Sequence, residues 1–504
     1  MTVRRAIALA FLLSLAACGS GPDRETLRQD VDGRLAKALP EGTFTTVSFI
    51  RRGSQADTKA PADEKRRIVY FDIELKLERD FDFGAWDAPG MAGIVSALGS
   101  GPRGIVGVTS GGNKSGDVIR AHGTALYKYE NDTWVAVAGG GYRPSVAPTY
   151  ATDAPANNAV ATLEAMRKII DRVPKGASSA QAAMVEEELE AAYAAINARL
   201  VRSTDGYAIA AGPEQGQYLR FARALSGAKD IRVVPLITRG GEENIRLLKA
   251  GKVSLALAQA DAALEAYAGT GNFAKEGPYA ALRTVGGLYP EALHVVVRAD
   301  ATFQSVAELR GARVAVGQPG SASRTTALRV LKAYGLSAQD ITPLTLSLGD
   351  ALIGLKRGDV DAVIQIIGVP ADSLRDAMAE ISLRLLPLSE QAVTRLIGMR
   401  AGYFPYAVSR GAYPGATQDV RTIGTAALLL TSADLSDSEI ALFTRFVFEN
   451  GRDFAARGSA QGTQVTAANA RQGLSIPLHI AAAKTLDAVA QNAKRPVSAR
   501  RAAK

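Results

Sequence analysis

The sequence is poor in the side chains on which most enzymes and metal proteins depend. It holds one cysteine and three histidines in 504 residues. The histidines, His122, His294 and His479, are spread along the chain, which argues against a histidine metal cluster. The single cysteine, Cys18, excludes a disulfide within the chain. No serine stands in a nucleophile-elbow pattern, and no glycine-rich turn carries the lysine of a phosphate-binding loop. The sequence therefore predicts a protein that is not an enzyme and that needs no cofactor and no metal.

Long apolar runs are missing as well. The N-terminal run, residues 6–15, is about half as long as the ~20 residues that a membrane-spanning helix needs. It follows Arg4 and Arg5 and precedes the small residues Ala16 and Ala17, which is typical of a cleaved export signal. The run LAAC, ending at Cys18, resembles a bacterial lipobox, and this resemblance implies cleavage after residue 17 and lipidation of Cys18. We therefore expect the mature chain on the periplasmic side of a bacterial membrane, anchored by lipid to the inner or the outer membrane.

Acidic and basic residues are close to balance over the body of the chain. The net charge is +9, but Arg4 and Arg5 leave with the export signal. Five further cations without an acid lie at the C-terminus: Lys494, Arg495, Arg500, Arg501 and Lys504. We predict that residues 486–504 form a basic, disordered, solubilising tail, with contact to anionic lipid as the alternative. Together with export, this distribution argues against a nucleic-acid partner.

Residues 18–143 are predicted to form a small α+β domain. Leu27, Val31 and Leu35 follow helical spacing within residues 25–39. Residues 69–78 alternate between apolar and charged side chains, which indicates a half-buried antiparallel strand. Four or so strands in sequential order would form a curved, cystatin-like sheet. Because this region holds no catalytic constellation, we interpret it as a spacer or a partner-binding module.

Residues 144–202 are predicted to form a helical connector. Two alanine-rich segments with helical periodicity, residues 157–172 and 177–199, are separated by a proline and a glycine. We expect a helical hairpin that serves as a packing strut.

From residue 203 to residue 485 the pattern changes to alternating strands and helices, which predicts an α/β fold. Residues 293–298 read as a strand, and residues 422–457 read as mostly helical. The turn GQPGSASR, residues 317–324, follows an apolar strand and opens a helix. Ser321 is a suitable N-cap, and the free N–H groups and the helix dipole would favour an anion beside Arg324. The alternative is a plain strand–turn–helix junction with a solvated arginine.

Seven stretches of residues 207–485 resemble the TAXI-type solute receptors that serve TRAP (tripartite ATP-independent periplasmic) transporters. They are AAGPEQGQY (210–218), GGEENIRLLKAG (240–251), LALAQADAALEAYAGTG (255–271), LYPEALHVVVRAD (288–300), LRGARVAVGQPGSASRTTALRVL (309–331), LKRGDVDAVIQIIGVP (355–370) and SLRLLPL (382–388). The resemblance implies a type II periplasmic binding fold, in which two α/β lobes close on a ligand about hinges near residues 297–302 and 386–406. Lobe one would comprise residues 203–297 and 407–485, and lobe two residues 298–400.

The resemblance also implies a site for a small carboxylate, either an amino acid or a dicarboxylate. The positions that match the ligand-binding motifs are Gly212, Gly216, Tyr218, Asn244, Gln259, Asp261, Gly320, Ser321, Arg324 and Gly368.

The first glycine turn departs from the pattern of these receptors. Pro213 removes one backbone donor, and Glu214 puts a negative charge beside the expected anion. At ~4 Å and an effective dielectric near 20, two like charges repel by about 4 kcal/mol. Glu214 therefore points away from the ligand, or the ligand carries a cationic group, or the usual ligand has been lost.

Two functions are consistent with the sequence. The first is a tethered solute receptor that closes on a small carboxylate and delivers it to a TRAP-type permease. The second is a receptor-like envelope lipoprotein that acts as a sensor or an interaction module without transport.

Overall fold

The computed structural model describes residues 21–58, 60–86, 90–137, 179–214, 216–226, 231–449 and 452–494. The predicted export signal with Cys18, the first helix of the predicted connector and residues 495–504 lie outside the described residues. Within these ranges, no helix combines the length and the apolar character of a bilayer-spanning segment.

Residues 21–137, called here the N-terminal region, form a five-stranded antiparallel sheet with two helices. The elements are α1 (Arg24–Ala38), β1 (Phe44–Ala56), β2 (Arg66–Leu77), α2 (Gly90–Leu98), β3 (Ile105–Val106), β4 (Val118–Glu130) and β5 (Thr133–Ala136). The strand order is β1-β2-β4-β3, with β5 pairing with β4. The amphipathic helix and the alternating strand are confirmed, because their predicted apolar faces are buried in one core. The four predicted strands are β1, β2, β4 and β5, and they pair in the predicted sequential order. The short strand β3, which was not predicted, also pairs with β4. Helix α2 was not predicted.

A long helix, α3 (Ser179–Asp205), leads into a second sheet of ten strands. Its strands are β6 (Tyr207–Gly212), β7 (Val233–Ile237), β8 (Leu255–Gln259), β9 (Leu282–Arg298), β10 (Arg313–Ala315), β11 (Thr342–Leu344), β12 (Ala362–Gly368), β13 (Leu383–Leu385), β14 (Phe404–Val408) and β15 (Val420–Ser432). Its helices are α4 (Gln217–Ser226), α5 (Gly241–Lys249), α6 (Ala260–Ala268), α7 (Ala322–Ala333), α8 (Leu348–Arg357), α9 (Asp372–Glu380), α10 (Glu390–Gly398), α11 (Asp437–Phe448) and α12 (Ile480–Lys494).

The second sheet is divided into two lobes that share two long strands. The order is β11-β10-β12-β9-β15-β8-β6-β7, with β13 on β9 and β14 on β15. Strand β6 pairs in parallel with β7 and β8 in lobe one, and β10 pairs in parallel with β11 and β12 in lobe two. Strands β9 and β15 run antiparallel to each other and pass between the lobes. This arrangement is the expected type II periplasmic binding fold.

Strand pairing places the passage between the lobes inside β9. Its first part pairs with β15 as far as Ala292, and its second part pairs with β12 from Glu291 onward. The passage therefore precedes the predicted hinge at residues 297–302, so the end of β9 belongs with lobe two. The remaining predicted domain boundaries stay predictions.

Two segments near the C-terminus differ from the sequence prediction. The helical prediction for residues 422–457 is wrong over Val420–Ser432, which is strand β15, and correct over α11. The prediction that a disordered tail begins at residue 486 is also wrong, because α12 continues to Lys494. Leu486 and Val489 pack into the core of lobe one, which holds this stretch in place.

The N-terminal region packs against the C-terminal part of lobe one. The Asn469 side chain donates to the carbonyl of Gly84 at 2.9 Å, and the Gln464 side chain donates to that of Ala85 at 3.2 Å. Ala455 and Ala460 belong to the apolar core of the N-terminal region. This part of lobe one therefore completes the core of the domain that precedes it in the chain.

The N-terminal region also contacts lobe two. Ala92 of α2 belongs to the apolar cluster that contains Val369 and Ala371. The Trp86 ring lies 6.2 Å, between centroids, from that of Phe404, which belongs to the predicted hinge at residues 386–406. The N-terminal region thus bridges the two lobes.

Candidate ligand-binding site

A cavity of about 100 Å³ lies between the lobes, next to the carboxyl ends of β6, β8 and β12. Ligands of open α/β sheets bind at this edge. The lining residues are Pro213, Gly216, Gln217, Tyr218, Arg239, Gly240, Gly241, Gln259, Glu291, Ser321, Ala322, Ser323, Gln365, Ile366 and Ile367.

Three helices begin at the wall of this cavity. They are α4 at Gln217, α5 at Gly241 and α7 at Ala322. Gly240 precedes α5 with a φ of 141°, a conformation that favours glycine. Because the unpaired N–H groups and the dipoles of helix N-termini attract negative charge, this wall favours an anion.

Arg239 adds a cation to the same wall. Its side chain is 71% exposed and pairs with Glu243 at 3.1 Å. A solvated guanidinium at the edge of the cavity can approach an incoming anion, because it is planar and carries several donors.

Glu291 adds an acidic group to a cavity whose other charged lining residue, Arg239, is a cation. It lies on β9, is only 3% exposed, and its Oε2 accepts a hydrogen bond from the Tyr218 hydroxyl at 2.8 Å. Burial raises the pKa of Glu291 to about 7, although hydrogen bonds from Gln259 and Tyr218 act in the other direction. The nearby negative charge of Asp261 raises the pKa of Glu291 further. The cavity therefore holds a carboxyl group that changes charge near neutral pH.

Other polar atoms around Glu291 lack partners. Among the described residues, the side-chain oxygens of Gln217, Gln259 and Tyr289 are buried and find no hydrogen-bond partner. Gln217 and Gln259 line the cavity. Because buried polar atoms without partners are costly, their presence here is typical of a site that a ligand completes.

Four of the predicted site residues line the cavity: Gly216, Tyr218, Gln259 and Ser321. Ser321 occupies the N-cap position of α7, but its side chain makes no capping hydrogen bond. The predicted N-cap position is therefore confirmed, but the capping hydrogen bond expected of the hydroxyl is not formed.

Four other predicted residues lie near the cavity without lining it. Gly212 ends β6, and the Gly368 carbonyl accepts from the Gln217 side chain at 2.8 Å. Gly320 lines a separate surface cleft beside Arg239 and Glu243. The guanidinium of Arg324 donates to the Gly317 carbonyl at 3.2 Å, within its own turn.

Asn244 holds lobe one together. Its side-chain nitrogen donates to the carbonyls of Ala211 at 3.1 Å and Leu257 at 2.7 Å, and its oxygen accepts from the Thr238 hydroxyl. These bonds use the hydrogen-bonding groups of the buried amide within the lobe, where it ties β6 and β8 to the loop before α5.

Asp261 connects the lobes. From lobe one, its Oδ2 accepts from Thr326 and Arg329 of α7 at 3.1 Å each and from the Tyr403 hydroxyl at 2.8 Å. Burial raises the pKa of Asp261, and the positive charge of Arg329 opposes this shift. The hydrogen bonds of Oδ2 therefore link Asp261 to α7 of lobe two and to Tyr403, in the predicted hinge at residues 386–406.

Further contacts close the cleft. The Gln217 side chain donates to the Pro370 carbonyl at 2.7 Å, and the Gln461 side chain donates to the same oxygen at 2.6 Å. Arg220 of lobe one forms an ion pair with Asp372 of lobe two. The structure is thus a closed conformation, which explains the small cavity.

Sequence reasoning missed Gln217, Arg239 and Glu291. Glu291 had a signal in the sequence, because it is the one acidic residue in the mostly apolar run LYPEALHVVV. Glu214, which departs from the glycine turn of the resembled receptors, has an exposed side chain and does not line the cavity. Among the described residues, no group of three histidine, cysteine, aspartate or glutamate side chains could hold a metal ion.

The profile of the NMT1-like family matches residues 209–487. A putative aliphatic sulfonates-binding protein of Escherichia coli (strain K12) is 38% identical over 73 residues, 14% of this chain and 23% of that protein. The match thus spans about a quarter of that relative. The periplasmic aliphatic sulphonate binding protein from Escherichia coli is 21% identical over 56% of this chain and 78% of that one, with a TM-score of 0.32. The alkanesulfonate-binding protein from Xanthomonas axonopodis pv. citri, bound to MOPS, is 23% identical over 56% and 83%, with a TM-score of 0.31.

Proposed function

This chain belongs to the NMT1-like family, and from that premise we propose that it is a periplasmic solute-binding protein that closes on a small organic anion. The observation that carries the proposal is the cavity between the lobes, where three helix N-termini and Arg239 meet. Pockets for drug-sized ligands have about 300–1,000 Å³. The closed cavity of about 100 Å³ therefore suits a solute of few heavy atoms, such as a small carboxylate or sulfonate.

The proposed mechanism is closure of the lobes around the solute. Hinge closure is a common transition in two-lobed receptors, and the ligand stabilises the closed form only if it contacts both lobes. Gly216, Tyr218 and Gln259 come from lobe one, whereas Ser321 and Gln365 come from lobe two. The proposed partner is a TRAP-type permease that accepts the solute from the closed form. A lipid at Cys18 would hold the receptor at the membrane.

The first prediction is that a small anion stabilises the protein through Arg239. The full chain should unfold at a higher temperature with at least one of glutamate, glutamine, 2-oxoglutarate, succinate or ethanesulfonate. A ligand at 100 times its Kd adds about 2.7 kcal/mol to the free energy of unfolding. Arg239→Ala should weaken binding about tenfold, or about 1.4 kcal/mol.

Arg324→Ala is the matched control, because it removes an equal charge from a residue that does not line the cavity. It should bind like the wild type. A cooperatively folded wild type that responds to no compound would contradict the proposal. A larger loss in Arg324→Ala than in Arg239→Ala would move the anion to the turn of residues 317–324.

A second function is favoured by the bridging position of the N-terminal region. A domain that touches both lobes changes its surroundings when the lobes move, as a sensor or an interaction module requires. A gene for a large permease next to this one would favour transport, and a neighbouring sensor-kinase gene would favour signalling.

A further inference from the structure

The cavity lining carries two kinds of polar group. The helix N-termini and Arg239 offer hydrogen-bond donors and positive potential. Glu291 and Gln259 offer acceptors. A solute that satisfies both kinds of group needs an anionic group and hydrogen-bond donors.

Glu291 is an unsuitable neighbour for a second anionic group. Two like charges in contact repel each other more strongly in a buried site than in water, because the effective dielectric there is lower. The carboxyl group of Glu291 is buried, and among the described ion pairs none includes it. Its described partners are the neutral side chains of Tyr218 and Gln259. A cation that enters the cavity would thus give Glu291 its missing counter-charge.

From this polarity, and resting on the proposed function, we propose that the solute is a small zwitterion whose ammonium group binds Glu291 and whose anionic group binds the helix N-termini. The unpartnered oxygen of Gln259 would accept a second ammonium proton, since an ammonium group has three donors. A dicarboxylate lacks these donors. Glu291 is therefore the residue that selects amines over their deaminated analogues.

The test compares pairs of compounds that differ mainly in one amino group. The pairs are L-alanine and propionate, L-glutamate and glutarate, and taurine and ethanesulfonate. Binding to the purified full chain is measured by isothermal titration calorimetry. At least one amine should bind ten or more times tighter than its deaminated partner.

Two isosteric variants complete the test. Glu291→Gln removes the carboxylate and should abolish the tenfold preference. Glu276→Gln removes an equal charge from a surface ion pair with Arg246 in the same lobe. This variant should retain the tenfold preference for the amine. A protonated Glu291 that donates to an anionic solute would instead leave binding intact in Glu291→Gln, since the amide retains a donor.

The outcomes separate this inference from the proposed function. Equal or tighter binding of the deaminated compounds by the wild type overturns the inference and leaves the solute-binding function standing. Retention of the amine preference in Glu291→Gln also overturns it. If no compound of any pair binds, the proposed function fails, and the inference fails with it. The wild-type comparison decides the question even if Glu291→Gln does not fold.

Discussion

Glu291 lies where a charge is costly, on a strand buried between two lobes and in contact with Tyr218 and Gln259. Asp261 and Tyr289 lie near it from the same lobe, and Arg239 is a cationic residue that lines the same cavity. Burial makes the protonated carboxyl the favoured form, so the folded protein holds this proton to a higher pH than the unfolded chain does.

We predict that Glu291 destabilises the ligand-free protein as the pH rises. Its pKa is about 7 in the folded state, against a usual value of 4.5. The folded state therefore binds more protons between these values, and the free energy of unfolding falls as the pH rises through this window. The stabilisation is fully present below pH 4.5 and lost above pH 7, and it amounts to about 3 kcal/mol.

The measurement is denaturant unfolding of the wild type and Glu291→Gln from pH 4.5 to pH 8. His294, whose pKa burial lowers to about 4, acts in the opposite direction and is common to both proteins. The difference between the two curves therefore isolates Glu291, and the variant should gain stability relative to the wild type as the pH rises. A difference independent of pH would show that Glu291 has an ordinary pKa.

Among the individual side chains of the site, some could be predicted from the sequence and others could not. Tyr218 and Gln259 follow strands whose ends were recognisable, so their position at the cleft was predictable. Arg239 was not, because its place at the cavity depends on where the loop before α5 meets lobe two. Asp261 was assigned to the ligand because it matches a motif position of the resembled receptors, but its partners Arg329 and Tyr403 come from residues distant in the chain.

Asn244 organises several elements at once, since one amide ties β6, β8 and the loop before α5. The positions of Gly216 at the end of β6 and Gln259 at the end of β8 therefore depend on it. This accounts for a buried polar side chain without any contact to a ligand.

We predict that Asn244→Ala destabilises the fold by about 2–4 kcal/mol, because it leaves two buried carbonyl groups without this donor. The comparison is Asn272→Ala, which removes an exposed asparagine bonded to Glu242 and Thr325 and should cost about 1 kcal/mol or less. Urea unfolding at constant pH measures both. Equal losses would show that the Asn244 bonds contribute little.

Strand β15 shows where sequence patterns fail for whole elements. Its centre, Ala426–Ala427–Leu428–Leu429–Leu430, is buried without alternation, because β8 and β9 flank it and helices cover the sheet. A strand buried on both faces reads as a continuous apolar run, which cannot be told from a buried helix by periodicity. The alternating strand β2 was predictable because part of one face meets solvent.

The two lobes and the N-terminal region form one connected molecule. Lobe one touches lobe two through Gln217 and Asp261, and the N-terminal region touches both through Gly84 and Ala92. Opening of the cleft must therefore rearrange at least one contact of the N-terminal region. The resemblance that identified the receptor fold does not extend to residues 18–202, so this bridge could not be predicted from it.

We predict that Gly84→Ala weakens the junction between the N-terminal region and lobe one. A β-carbon at this position would lie 1.9 Å from the Thr463 carbonyl oxygen, so the backbone must move. Such overpacking costs about 1–3 kcal/mol and should lower the melting temperature by several degrees. Scanning calorimetry of the full chain measures the shift.

Gly33→Ala is the matched control in the same region. It lies within α1, where nothing approaches within 4 Å, so alanine should be neutral or stabilise by about 0.5–1 kcal/mol. A melting temperature of Gly84→Ala equal to that of the wild type would contradict the described packing.

The placement of Ala455 and Ala460 in the core of the N-terminal region also bears on biosynthesis. A ribosome makes the N-terminal region first and this segment near the end. The core of the N-terminal region therefore stays incomplete, with part of its apolar surface uncovered, until almost the whole polypeptide has been made. A truncated chain lacks the segment that covers this surface. Its exposed apolar surface is then open to recognition by chaperones and proteases.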